Sequence, residues 1–348
     1  MGAMPASHPY ERLTPQRVLD ALQSVGWRGD GRLLQLNSYE NRVFQVMLED
    51  GTAVVAKFYR PGRWSDAQIL EEHRFALQLA VEEIPVIAPQ PLRPVDGTAS
   101  IGLLCSGEPP TLACWSEGDA VFRLSTYARR AGHGPELDDP TVLEWLGRFV
   151  GRVHAVGSRE PFQTRRRLDV ATYGHRPLQQ LLDGEHVTLA QRPAFESAAR
   201  AALTIVDDTF TRVGELAPLR LHGDFHPGNI LWRDEGPHIV DLDDCCSGPA
   251  VQDLWMLLSG STHDMRAQLR HVLDGYAAFM HFDPRELALI EPLRTLRMLH
   301  HSAWLADRWD DPAFPAAFPW FGSANYWSQQ TQQLNEQVEA MQAGPLTP

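Results

Sequence analysis

The chain has 348 residues, 43% of them hydrophobic and 22% charged, with 44 acidic against 31 basic side chains for a net charge of −13. That length exceeds what one core commonly organises, so two packed lobes are expected. The acidic balance argues against a broad nucleic-acid or anionic-membrane surface. The basic stretches RRAGHG and QTRRRL are read as solvated surface. Cys105, Cys114, Cys245 and Cys246 form no C-x-x-C pair, and the last two are adjacent, so neither a zinc ribbon nor a disulfide framework is expected. MGAMPASHPYERLTPQRVL lacks an apolar core behind basic residues, and no apolar run approaches a membrane span. A cytoplasmic protein that engages neither nucleic acid nor membrane is the expectation.

Residues 14–26, TPQRVLDALQSVG, read as a helix capped by Thr14, with Pro15 in its first turn and Gly26 at its end. In RVFQVMLEDGTAVVAKFYR, apolar residues alternate on both sides of Asp50-Gly51, the signature of a hairpin. Lys57 falls near the end of its second strand, and Pro61-Gly62 stops that strand. Residues 65–81, SDAQILEEHRFALQLAV, read as a capped amphipathic helix, followed by the extended connector IPVIAPQPLRP. ASIGLLCSG and ACWSEGDAVFRLSTYA read as two further strands. From residue 138 the pattern turns helical: DDPTVLEWLGRFVGRVHAVG, then 189–216, 250–260, 264–281 and 284–309. The exception is 221–244, short strands joined by a glycine-rich turn. The tail after Asp310, with FPAAFPWFGSANYW, reads as packing over the helical lobe. The expected class is α+β. A strand-rich lobe spans residues 1–125 (leading helix, antiparallel sheet and the Glu72 helix), and a helical lobe spans 126–348.

The chemistry gathers in LHGDFHPGNILWRDEGPHIVDLDD. His222, Asp224 and His226 alternate, as metal ligands on one strand face would. Pro227 and Gly228 break that strand at once, and no further histidine cluster completes a site. Phosphoryl transfer fits better. It needs a carboxylate at the acceptor hydroxyl, and an oxygen ligand with a second carboxylate for Mg2+. Asp224 precedes Asn229 by the five residues this arrangement uses, and ILWRDEGPHIVD supplies strand, turn, strand and Asp241. A phosphate-binding lysine is supplied by Lys57 in VVAKFY, and the next helix offers Glu71 and Glu72 as partners. No G-x-G-x-x-G precedes Lys57. NSYENRVFQV stands there instead, with Ser38 and Asn41 in a polar turn that covers the phosphates. HGD for HRD and DLD for DFG separate the chain from the conventional eukaryotic protein kinases.

These motifs resemble the aminoglycoside phosphotransferase and choline kinase-like superfamily, whose hallmark is H-G-D-x-x-x-x-N, a short hairpin and I-D-x-x-D. Within it the chain is most similar to bacterial stress-response Ser/Thr protein kinases. That similarity rests on LNSYENRVFQV, KFYRPGRW, QILEEHRFALQLA, GPAVQDLWMLLSG and EPLRTLRMLHHSAWLADRW with PAFPAAFPWFG. It runs from about residue 33 to 327 and implies a bilobal, protein-kinase-like fold with ATP in the interlobe cleft. It makes Asp224 the catalytic base. Asn229 and Asp241 become the Mg2+ ligands, with Asp241 also essential to catalysis. Ser38 falls in the ATP-covering loop, and Lys57 with Glu72 forms the phosphate-positioning pair, Glu71 being the lesser candidate. Asp243 either supports a second metal position or braces the loop. Asp253 is expected to hold the catalytic loop's backbone, His222 to be structural, and the adenine-gripping hinge to fall near Leu124 to Tyr127. Cys245 and Cys246 are read as packing rather than a redox sensor.

The resemblance implies a monomer that phosphorylates Ser/Thr hydroxyls of a protein substrate and of itself. A small-molecule kinase acting on an amino alcohol, sugar or aminoglycoside would share every catalytic residue. A nucleotide-holding module without chemistry would not need Asp224, Asn229, Asp241 and Lys57 together. Nothing in 225–260 has the length of a phosphorylatable activation segment, so regulation by ordering such a loop is not expected.

Overall fold

The computed structural model describes residues 9–95, 101–104, 109–117 and 120–348. Backbone proximity divides the chain into two compact units. The first comprises 1–133 with 163–165 and 231–243, and the second 134–162, 166–230 and 244–348. The division falls at 133, beyond the strand that passes residue 125 and runs to Ala128. Two later segments join the first unit for a physical reason. Glu71 accepts hydrogen bonds from the 163–165 backbone, and Lys57 binds Asp241 and Asp243.

In the first unit, Thr14 accepts a hydrogen bond from Arg17 N and starts α1 (Pro15–Ser24). A six-stranded antiparallel sheet follows, built from β1 (Gly29–Gln35), β2 (Arg42–Leu48), β3 (Ala53–Tyr59), and, after α2 (Asp66–Val81), β4 (Ile101–Leu104), β5 (Leu112–Glu117) and β6 (Ala120–Ala128). Its order is β1-β2-β3-β6-β5-β4. Asp50-Gly51 makes the expected β2–β3 turn, with Gly51 at φ +83°. The single strand expected over 113–128 is two strands paired antiparallel, β5 and β6. The edge strand β1 carries no clear apolar alternation and was not anticipated. Cys105 lies outside the described residues.

Alternation along β3 decides what faces where. Val54, Ala56 and Phe58 pack with Val18 and Leu22 of α1 and with Phe44 and Phe122. Tyr59 turns the other way, against Ile69 of α2. Lys57, two residues before Tyr59, therefore shares the α2 face.

The second unit contains α3 (Pro140–Gly157), a π-helical turn at Ala171–His175 leading into α4 (Arg176–Asp183), α5 (Arg192–Val213) and β7 (Leu219–Leu221). The chain then forms the hairpin of β8 (Ile230–Arg233) and β9 (Gly236–Ile239), of which residues from 231 belong to the first unit. It returns through β10 (Cys246–Gly248), antiparallel to β7, into α6 (Gln252–Trp255), α7 (Thr262–Tyr276), α8 (Ile290–Asp307), α9 (Ala313–Ala317) and α10 (Ala324–Gln342). Helices α3 and α7 approach through glycine: a Cβ on Gly147 would overlap the Val272 carbonyl, and one on Gly275 the Glu144 carbonyl. The aromatic tail packs as expected. Trp327 meets Phe195 at 4.9 Å and donates from Nε1 to His186 O at 2.7 Å, and Phe314 meets Trp304 at 5.0 Å. The polar helix α10 was not anticipated, because only Tyr326, Trp327 and Leu334 are buried along it. Among the described residues no helix is long and apolar enough to cross a membrane.

Candidate active site

In the first unit the site is built around Lys57. Its Nζ lies 3.0 Å from Asp243, 3.1 Å from Asp241 and 3.7 Å from Glu72. Burial opposes the ammonium charge, but Asp243, Glu72 and Asp241 together hold it well above the ordinary lysine range. One lysine does not neutralise three carboxylates equally. Asp243 also meets the Arg63 guanidinium, and its backbone carbonyl accepts from Arg165. Burial disfavours the Asp243 charge, yet Lys57, Arg63 and Arg165 keep its carboxyl well below the usual range. Glu72, the most distant of the three, is pushed up to about 7 by burial in spite of Lys57. Asp243 therefore braces the lysine and its loop, and the side chain is 3% exposed. Asp241 differs. It is 48% exposed and sits at φ +61°, left-handed backbone that a non-glycine residue adopts at a cost of about 1 kcal/mol or more. Its carboxylate stands at the end of the β8–β9 hairpin with Oδ1 on Lys57.

Glu71, one position from Glu72, faces another way. Its carboxylate accepts from Gln163 N at 2.5 Å, Thr164 N at 2.8 Å, Thr164 Oγ1 at 2.6 Å and Arg165 N at 2.9 Å. It anchors that segment and is no partner of Lys57. The same anchoring corrects the reading of QTRRRL as solvated surface, since Arg165 is buried beside Glu72 and Asp243.

The polar turn between β1 and β2 is held without glycines. Glu40 pairs with Arg60 at 2.9 Å and with Arg63 at 3.7 Å, while Arg60 donates to Glu40 O at 3.0 Å and Tyr39 O at 3.2 Å. Ser38 lies half-buried in this turn. Asn41 is 2% exposed and accepts from Arg60 N at 3.0 Å. It braces the turn through that bond. Leu124–Tyr127, expected near the hinge, lie inside β6, and Thr126 O accepts from Gln90 N at 2.7 Å.

In the second unit, HGDFHPGN forms a tight loop after β7. Gly223 sits at φ +84°, where a Cβ would overlap the Asp244 carbonyl, so the HGD turn demands glycine. Asp253, fully buried, accepts from His222 N and Gly223 N, both at 2.8 Å, and lies 3.1 Å from His154 Nε2. This is the expected hold on the loop's backbone. Gln252 Nε2 adds a bond to Gly223 O at 2.8 Å. His222 is buried, and its Nδ1 accepts from Asp224 N at 3.3 Å, a structural role that leaves the alternating metal-ligand reading without its first ligand.

Asp224 is thereby presented with both oxygens engaged. Oδ1 meets Arg297 Nη1 at 2.5 Å, and Oδ2 lies 3.4 Å from His226 Nε2. Burial works against its charge, but the His226 and Arg297 contacts hold the carboxyl well below the usual range, so it is ionised at neutral pH. Asn229 Nδ2 donates to Asp224 O at 3.0 Å, which leaves Oδ1 as the atom it offers outward. Sequence reasoning missed Arg297, 73 residues beyond Asp224, and the Arg63 and Arg165 props. No local pattern marks a contact made across that separation. Cys245 and Cys246 are buried among packed side chains, as expected.

Residues 32–290 match the phosphotransferase enzyme family. The chain belongs to that family. It is 42% identical over 337 residues to stress response kinase A of Salmonella choleraesuis, spanning 97% of this chain and 96% of that protein. It is 41% identical, with the same coverage, to the Escherichia coli protein of that name and to serine/threonine protein kinase RdoA of Salmonella typhimurium. Among solved structures, amicoumacin kinase hAmiN bound to AMP-PNP, Ca2+ and Ami superposes with a TM-score of 0.68 at 18% identity, covering 98% of this chain and 96% of that one. A microcompartment-associated aminopropanol kinase does so with a TM-score of 0.68 at 16% identity, covering 94% and 97%. The fold is thus the α+β bilobal fold of these kinases. The chain is a phosphotransferase whose acceptor is a hydroxyl group.

Proposed function

We propose that the chain transfers the γ-phosphoryl group of ATP, with Mg2+, to Ser or Thr hydroxyls of proteins, its own included. The observation that carries the chemistry is the ionised Asp224, fixed by the Asp253-held HGD turn. A carboxylate so held is suited to take the acceptor's proton as the acceptor oxygen attacks the γ-phosphorus and ADP departs. Lys57 would leave Asp241 and Asp243 for the α- and β-phosphates, with Glu72 keeping it aligned. Backbone amides of the Ser38 turn would cover the phosphates.

Asn229 Oδ1 and the exposed Asp241 carboxylate are hard oxygen donors of the kind Mg2+ takes, and we assign the ion to them. When bound, Mg2+ neutralises charge on the phosphates. The protein acceptor is supported by the relative named serine/threonine protein kinase RdoA, 41% identical over nearly the whole chain. The neighbours named for small-molecule acceptors share the fold at 16–18% identity. The test is incubation with ATP and Mg2+, alone, with acidic and basic proteins, and with amino alcohols and aminoglycosides. Phosphoserine or phosphothreonine found by peptide mass spectrometry supports the reading. ADP release stimulated only by a small molecule, with no phosphoprotein, overturns it.

A further inference from the structure

The proposed reading brings an acceptor hydroxyl to Asp224, whose side-chain partners Arg297 and His226 in the second unit are both donors. Arg297, on the exposed face of α8, supplies a full positive charge 2.5 Å from Oδ1. His226 Nδ1 accepts from Gly228 N at 3.0 Å, so its proton sits on Nε2, facing Asp224 Oδ2 at 3.4 Å. His301, exposed one turn beyond Arg297, adds another polar ring, and His300 beside it stacks on Tyr173 at 4.7 Å.

Each oxygen of Asp224 already has one partner, so an incoming hydroxyl shares Oδ1 with the Arg297 guanidinium or replaces it there. His226 is fixed by its own loop. Arg297 is held only by a long, flexible stem, and the pair is 43% and 23% exposed. The Arg297 side chain is the exposed member of the pair, so a carboxylate arriving from solvent can compete with Asp224 for it. An arginine released from one carboxylate can take another, and its planar guanidinium matches a carboxylate in fork geometry.

We propose that Arg297 is a specificity-determining residue that binds a carboxylate flanking the acceptor hydroxyl, so that the chain phosphorylates Ser or Thr beside Asp or Glu. This rests on the protein-kinase reading above. Arg297 moves from Asp224 Oδ1 to the acceptor's carboxylate, and the freed oxygen accepts the hydroxyl proton. Arrival of the correct acceptor and release of the base are then one event.

The experiment measures kcat/KM for Ser and Thr peptides flanked by Asp, Ala or Lys, in the wild type, Arg297→Lys, Arg297→Gln and Arg297→Glu, with Asp224→Ala as the blank. The ratio of Asp- to Lys-flanked peptide is internal to each variant, so a general loss of folding or turnover cancels. The wild type should prefer the Asp-flanked peptide by about tenfold or more, the worth of one charge-assisted hydrogen bond. Arg297→Lys should keep most of that preference, Arg297→Gln should abolish it, and Arg297→Glu should invert it. A wild type without acidic preference, a preference that survives Arg297→Glu, or an equal loss on all peptides would overturn the assignment while leaving the kinase reading intact. If no peptide is phosphorylated and only a small molecule is, the protein-kinase reading fails and this inference with it.

Discussion

Asp253 is the residue through which the second unit holds its HGD turn, and truncating it should be felt twice. Its carboxylate, 1% exposed, is the acceptor for two backbone amides at 2.8 Å and the partner of His154 at 3.1 Å. Tyr276 Oη lies 3.0 Å from the other nitrogen of His154, which orients the ring toward Asp253. Asp253→Ala leaves those donors buried without an acceptor. At about 1–3 kcal/mol for each stranded donor, offset in part by no longer burying a charge, the loss should be about 3–5 kcal/mol. Asp253→Asn keeps the volume and one acceptor oxygen but turns an NH2 toward the second amide, and should cost about 2–3 kcal/mol. Urea unfolding followed by tryptophan fluorescence measures both, with the m-value checked for constancy. At a low temperature where circular dichroism shows the variants folded, kcat should fall by about tenfold or more, because Asp224 hangs on the released turn. Stability within 1 kcal/mol of wild type together with an unchanged kcat would refute this account of the loop.

The remaining predictions concern charge and close packing. Burial raises the Glu286 carboxyl from 4.5 to about 7 although it accepts from Val251 N at 2.8 Å. The native state therefore binds more protons than the unfolded chain between those values, and stability should fall as pH rises through that window. Glu286→Gln should be near neutral at pH 5 and raise stability by about 1–3 kcal/mol at pH 8, read as a rise in Tm. Gly147→Ala or Gly275→Ala should cost about 3 kcal/mol or more, because the added methyl meets the backbone of the facing helix rather than a movable side chain. Thermal melts check this, and a shift of under 2 °C would contradict it. Lys57→Met should lower kcat/KM for ATP by about a hundredfold or more, measured by coupled ADP release.

The sequence shows its local patterns well and its long-range contacts poorly. The β2–β3 hairpin, the Lys57 strand and the capped α2 are each written in alternation, a turn dipeptide or a cap. Such signals act over a few residues. The HGD turn with Asp224 and Asn229 was legible because its spacing is fixed by one loop. The choice between Glu71 and Glu72 was legible only as a preference. Adjacent helical residues face different ways, but which way each faces depends on residues 163–165, some ninety positions distant. Asn41 illustrates the same gap. A polar residue in that turn reads as a ligand contact, and the sequence does not show that its side chain also accepts from Arg60 N. Arg165 reads as part of a solvated basic patch until Asp243 and Glu72 are seen beside it. Arg297 had no local signal at all, since its helix is patterned by the leucines on the opposite face.

The most direct test of the central claim is phosphoryl transfer from ATP with Mg2+ by purified wild type, Asp224→Ala and Asp241→Ala, each shown folded by circular dichroism. Phosphate would be counted on protein hydroxyls by intact-mass and peptide mass spectrometry. The account predicts phosphoserine or phosphothreonine formed by the wild type and reduced by at least about a hundredfold in both variants. Near-normal transfer by Asp224→Ala would contradict it.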